Sequence, residues 1–136
     1  MRYMLDTNVC IDYLRGTDFG VKEKLISCKQ GELYISSITL SELLYGVNKS
    51  SDVQKNRNAL NNLLLKIDVL DYGSEAGECY GLIRNELTRK GLAIGALDML
   101  IGAHAVSVNM TLVTHNVSEF NRINGLKIED WHSGNP

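Results

Sequence analysis

Residues 2–8 read Arg2-Tyr3-Met4-Leu5-Asp6-Thr7-Asn8, and the reading of this stretch decides the fold. Tyr3-Met4-Leu5 has the length and composition of a short strand. It ends in a carboxylate, followed by two small polar residues able to open a helix. A strand buried in a sheet carries a charge only at a cost. Asp6 is therefore either a cap for a helix starting near Thr7 or a group placed for chemistry.

Working outward, the same strand-sized apolar runs recur. Leu33-Tyr34-Ile35-Ser36 follows Gly31, Ile67-Asp68-Val69-Leu70 is a third run, and Thr111-Leu112-Val113-Thr114 a fourth. Leu126-Lys127-Ile128 is a short fifth. Between them the apolar period changes to about 3.6. Leu40, Leu43, Leu44 and Val47 share one helical face, as do Val53, Leu60, Leu64 and Ile67. Ala76, Tyr80, Ile83 and Leu87 make a further stripe that stops at Gly91, and Leu97, Ile101, Ala105 and Val108 make the last. Strands alternating with helices predict an α/β fold: a mostly parallel sheet of four to five strands flanked by helices on both faces. In such sheets ligands bind beyond the carboxyl ends of the strands. Asp6 lies at such an end.

The whole chain has 136 residues, which suits one domain over 1–136, and 44% of it is hydrophobic, enough for a core. The net charge is only −2. No basic excess advertises nucleic acid, so such a partner needs a local patch or metal ions. No secretory signal pattern opens the chain and no run approaches a membrane span, so a cytoplasmic protein without a membrane partner is expected. Cys10, Cys28 and Cys79 are far apart, with no CxxC pair. They read as buried free thiols in a reducing compartment, not as a zinc site. Tyr45 and Tyr80 fit core or interface stripes. The sole proline is Pro136, and no linker or repeat interrupts the chain.

Four further polar groups occupy comparable places in the chain. Glu42 lies in the largely apolar "SSITLSELLYG", near the start of a helix. Asp98 lies in "IGALDMLIGAHA", in a first helical turn. "LVTHNVSEF" puts Asn116 after a strand and Glu119 three residues on. Each acid alone is explained by capping or by the helix dipole, worth roughly 0.3–1 kcal/mol. Together, Asp6, Glu42 and Asp98 at one sheet edge would repel and raise one another's pKa values. A divalent cation removes that cost. The donors are all oxygens, and His104, His115 and His132 are not paired on any helix. This set favours Mg²⁺, or Mn²⁺, over Zn²⁺. Such an ion, bound by few carboxylates and completed by substrate phosphate oxygens, fits phosphodiester hydrolysis. His104 reads as a packing or hydrogen-bonding residue.

Residues 4–16 (MLDTNVCIDYLRG), 35–47 (ISSITLSELLYGV), 94–105 (IGALDMLIGAHA) and 111–120 (TLVTHNVSEF) together resemble the PIN-domain ribonucleases. More closely they resemble the VapC toxins of type II toxin–antitoxin pairs. The likeness runs from Met4 to Trp131. It implies a PIN-like α/β/α sandwich, endoribonuclease activity, and Asp6, Glu42 and Asp98 as metal ligands. The family's fourth acidic position is matched here by Asn116, with Glu119 near enough to supply charge. By the same resemblance Thr7, Asn8 and Thr114 orient the carboxylates. It also implies a homodimer and a VapB-type antitoxin, through which alone operator DNA is bound. The substrate implied is RNA, with tRNA cut in the anticodon region, and initiator tRNA as the specific expectation.

For holding RNA phosphates, Arg84, Arg89, Lys90 and His115 are the candidates, with Arg15, Lys49 and Arg122 behind them. Tyr13 and Phe19 are candidates for a groove that receives an antitoxin segment. Three competing readings stand: a different enzyme class, a non-catalytic binding module and a DNA-directed nuclease. A phosphatase with an aspartyl nucleophile usually wants DxD, and here Asn8 stands two residues after Asp6. No GxxxxGK[ST] supports a P-loop nucleotidase. A catalytically silent binding module with this fold, or a nuclease acting on DNA, differs only in activity or substrate.

Overall fold

The computed structural model describes residues 1–133; residues 134–136 lie outside it. In chain order the elements are β1 (Tyr3–Leu5), α1 (Thr7–Arg15), α2 (Phe19–Ser27), β2 (Leu33–Ser36), α3 (Ser37–Lys49) and α4 (Val53–Leu64). There follow β3 (Asp68–Leu70), α5 (Ser74–Arg89), α6 (Ala96–Ser107), β4 (Thr111–Val113), α7 (Val117–Phe120) and β5 (Ile128–Glu129). The five strands form one all-parallel sheet in the order β3-β2-β1-β4-β5. β1 is thus central, and the chain leaves its carboxyl end at Asp6.

Side-chain alternation assigns the two faces. Tyr3, Leu5, Leu33, Ile35 and Val113 point into one core with Val9, Leu25, Leu43 and Leu60, which come from α1 to α4. Met4, Tyr34 and Leu112 point the other way, against Ile83, Leu87, Met99, Ile101 and Phe120 from α5 to α7. Helices on both faces explain why β1 and β4 read as unbroken apolar runs.

Several expectations are revised. β5 lies at Ile128–Glu129 and not at Leu126–Ile128, because its pairing of Ile128 with Leu112 and Glu129 with Val113 sets the register. α2 had no sequence reading: it buries only Val21 and Leu25, between charged residues. α6 is buried almost all round, including Gly102, Ala103 and His104, while Leu97 is exposed. Its expected stripe of Leu97, Ile101, Ala105 and Val108 is therefore wrong at its first position. Val53 is likewise exposed. Tyr45 is 66% exposed and not a core residue. Of the three thiols only Cys10 is fully buried, and burial drives its pKa up beyond any acidity useful near neutrality.

His104 sits inside α6, 2.8 Å from the Ser36 hydroxyl and edge-on to the Tyr72 ring. Burial holds its pKa below the ordinary 6.5, against a small opposing pull from Asp71. Its contribution to stability is present above pH 6.5 and is lost as pH falls through the lower folded value. Wild type is therefore expected to lose more Tm between pH 7.5 and pH 5 than His104→Gln does.

The C-terminal segment returns across α2. A Cβ on Gly20 would stand 2.6 Å from the Trp131 carbonyl oxygen and 2.8 Å from the Ser133 nitrogen. Both are backbone atoms, which cannot rotate away. Gly20→Ala is expected to lower unfolding free energy by about 1–3 kcal/mol in chemical denaturation.

Candidate metal centre

Asp6 is the cap its position suggested, and the cap uses only one of its oxygens. Its Oδ1 accepts the Val9 N–H at 2.9 Å and so caps α1. Its Oδ2 accepts the Thr114 hydroxyl at 2.5 Å. Each oxygen keeps a further lone pair for a cation. The residue is 5% exposed. Burial raises its pKa; the Thr114 and Val9 hydrogen bonds and the charge of His132 oppose this without cancelling it.

Thr114 is held in turn. Its Oγ1 accepts the Asn116 N–H at 3.0 Å, so a relay runs from the turn after β4 to the end of β1. The Asn116 side-chain amide donates to Glu119 Oε2 at 3.0 Å. Glu42, on the second turn of α3, accepts from the Thr7 hydroxyl at 2.7 Å. Thr7 Oγ1 also lies 3.3 Å from Thr39 Oγ1. Thr7 has one proton, so Thr39 is left to donate back to it. Asn8 is exposed and donates to no carboxylate among the described residues, unlike Thr7 and Thr114.

Asp98 stands in the first turn of α6, half-buried, with no hydrogen-bond donor among the described residues. Burial raises its pKa, and the charges of Asp6, Glu119 and Glu42 raise it further. The fold thus brings Asp6, Glu42 and Glu119 within electrostatic reach of Asp98, and Asp6, Glu42 and Asp98 line one groove. A cation neutralises what the protein leaves unbalanced, and an all-oxygen donor set fits Mg²⁺ or Mn²⁺. Among the described residues these carboxylates do not close to within 4.8 Å of one another as a triad.

The site opens into a groove of about 500 Å³ between α1, α3 and α4. Ile11, Leu14 and Tyr45 supply apolar wall, and Arg15 and Lys49 supply positive charge. Arg84, Arg89 and Lys90 do not line this groove. The Arg84 guanidinium donates to the Tyr80 hydroxyl at 2.8 Å, and Lys90 pairs with Glu86 at 2.8 Å. His115 faces Asp130 and the His132 ring instead. Phe19 is exposed beside a second, shallower groove with Trp131, whereas Tyr13 packs on the core.

A model of the PIN domain matches residues 3–126. A parallel sheet with acids gathered at its carboxyl edge, together with that match across most of the chain, places this protein in the PIN-domain family. Within the family its likeness is to the VapC ribonucleases. It is 41% identical to the tRNA(fMet)-specific endonuclease VapC of Shigella flexneri over 131 residues, 96% of this chain and 98% of the relative. It is also 41% identical to Ribonuclease VapC2 of Rickettsia felis over 132 residues, with the same coverage. Its fold superposes with a TM-score of 0.90 on VapBC2 from Rickettsia felis bound to a promoter DNA fragment, at 39% identity, covering 96% of this chain and 99% of that one. DNA-bound VapBC from Salmonella typhimurium gives the same TM-score at 40% identity, covering 96% and 98%.

Proposed function

We propose that this chain is the endoribonuclease toxin of a type II toxin–antitoxin pair, cutting tRNA by metal-dependent hydrolysis. The carrying observation is the carboxylate cluster at the sheet's carboxyl edge, in a chain 41% identical to VapC endonucleases. Asp6, Glu42 and Asp98 are the ion's ligands, with Glu119, aimed by Asn116, adding charge. A hard cation there, Mg²⁺ or Mn²⁺, supplies Lewis-acid activation of water and offsets charge on the phosphate. The protein supplies the positioning. Thr114 fixes the Asp6 rotamer and Thr7 fixes Glu42, so both carboxylates are set before substrate arrives. Water's oxygen forms the new bond to phosphorus and the bond to the ribose 3′-oxygen breaks. The products carry a 5′-phosphate and a 3′-hydroxyl. Initiator tRNA is the proposed target, by likeness to relatives named for it.

The partner proposed is a VapB-type antitoxin, as in the related complexes. The apolar wall and exposed Tyr45 of the groove suit a docked segment, and the acids at its end suit a positive side chain. Promoter DNA would then be reached through the antitoxin. A homodimer is proposed as well, supported by exposed Leu82, Leu92 and Leu97 on the α5–α6 side.

Incubation of the purified protein with tRNA, ribosomal RNA and single-stranded DNA tests this reading. Discrete cuts confined to tRNA are expected. Cuts in DNA alone, or none anywhere, would reject it. Arg15 and Lys49 should act on binding: charge reversal at either is expected to raise KM more than it lowers kcat. It should also flatten the dependence of log K on log salt by about 0.7–0.9 per lost phosphate contact.

A further inference from the structure

A second cluster lies beside the acidic one and differs from it in chemistry. His115, at the end of β4, and Asp130 and His132, after β5, bring one ligand atom each to within 4.8 Å of one another. His115 Nδ1 is 3.0 Å from Asp130 Oδ2, and His132 Nδ1 is 3.3 Å from Asp130 Oδ1. Bonds of about 2.0–2.1 Å to a tetrahedral ion give ligand separations of roughly 3.3 Å. Each imidazole already stands near that spacing from one oxygen of Asp130, and the three ligand atoms lie within 4.8 Å of one another.

His132 carries the argument. Its side chain is 9% exposed, and its Nε2 lies 2.7 Å from Asp12 Oδ2. In the neutral ring Nε2–H donates to that carboxylate, which leaves the Nδ1 lone pair for an ion. Nδ1 is buried and makes no hydrogen bond. A lone pair aimed at a carboxylate oxygen is unfavourable unless a proton or a cation sits between them. Burial opposes a second proton on the ring, but the Asp12 hydrogen bond and the charges of Asp12, Asp18 and Asp130 outweigh it and raise the His132 pKa, so a metal ion at this position takes the place of a proton. The same arrangement, imidazole to metal on one side and imidazole to carboxylate on the other, orients histidine ligands in metal sites. The two rings lie 4.3 Å apart and tilted by 31°, so both can face one ion.

We infer that His115, Asp130 and His132 form a site for a borderline transition ion, with Zn²⁺ as the type, and that Asp12 orients the His132 ligand. Two nitrogens and one oxygen distinguish it from the all-oxygen site, which selects Mg²⁺ or Mn²⁺. Three protein ligands leave a fourth position to water. The ion would clamp the C-terminal segment to the end of β4 and to α1. The proposal does not depend on the nuclease reading.

The test is calorimetric titration of Zn²⁺ into tag-free protein stripped with EDTA and dialysed, with Co²⁺ absorption as a report of coordination geometry. His115 is largely exposed, so His115→Ala should fold as wild type does, checked by circular dichroism. One tight Zn²⁺ equivalent is expected in wild type and in Asp98→Asn. His115→Ala and Asp12→Asn should each weaken it by about 10–100-fold. Equal affinity in His115→Ala, loss in Asp98→Asn, or no Zn²⁺ binding in wild type would each overturn the proposal.

Discussion

Asp6→Asn is expected to lower the rate of RNA cleavage by about 10³-fold while leaving the protein folded. Metal-ion catalysis is worth several kcal/mol, and about 4 kcal/mol corresponds to that factor. The neutral amide removes one charge from the proposed metal site. The fold survives because asparagine caps a helix as well as aspartate does. The amide oxygen can keep the Val9 N–H, and its NH₂ can donate to Thr114 Oγ1, which must then turn its own proton elsewhere. That local loss is opposed by removal of a buried charge whose pKa is raised chiefly by burial. Metal-free stability should therefore stay within about 1 kcal/mol of wild type. Rates measured by gel and Tm measured by circular dichroism check the two halves. A variant that is inactive only because it is unfolded would contradict this account.

The second large effect is thermal. Asp98 has no donor and three neighbouring carboxylates, so the metal-free protein carries repulsion at neutral pH. For Asp6 and Asp98 the folded pKa lies above 3.8. Their contribution to stability is full below pH 3.8 and is lost as pH rises through the raised values. A cation restores it. At a hundred times its Kd, Mg²⁺ should add about 2.7 kcal/mol, which for a chain of this size raises Tm by roughly 10 °C. The shift should shrink sharply in Asp98→Asn. An equal shift in that variant would place the ion elsewhere.

Much of this was legible in the chain, and the reason is local. β1, β2 and β4 read to within a residue because both faces of the sheet are covered, so apolar runs stop abruptly where the strands stop. Asp6, Glu42, Asp98 and Glu119 were visible as charges interrupting apolar patterns. α2 was not, since two buried residues among lysines and a glutamate leave no periodic signal. β5 was displaced because its neighbour's register, and not its own composition, selects the paired residues. Of the basic groups, Arg15 and Lys49 line the groove and Arg84, Arg89 and Lys90 do not: the polar face of α5 was visible, but which helices border the acids was not. The His132–Asp12 contact spans 120 residues, and no local spacing records it.

End-mapping of tRNA cleaved with Mg²⁺, alongside the same reaction in EDTA, tests the central claim most directly. The account predicts discrete cuts that require the ion and leave a 5′-phosphate and a 3′-hydroxyl. Cuts that persist in EDTA, or that leave a 2′,3′-cyclic phosphate, would mean that the ribose hydroxyl and not water is the nucleophile. The carboxylate cluster would then not be the catalytic site.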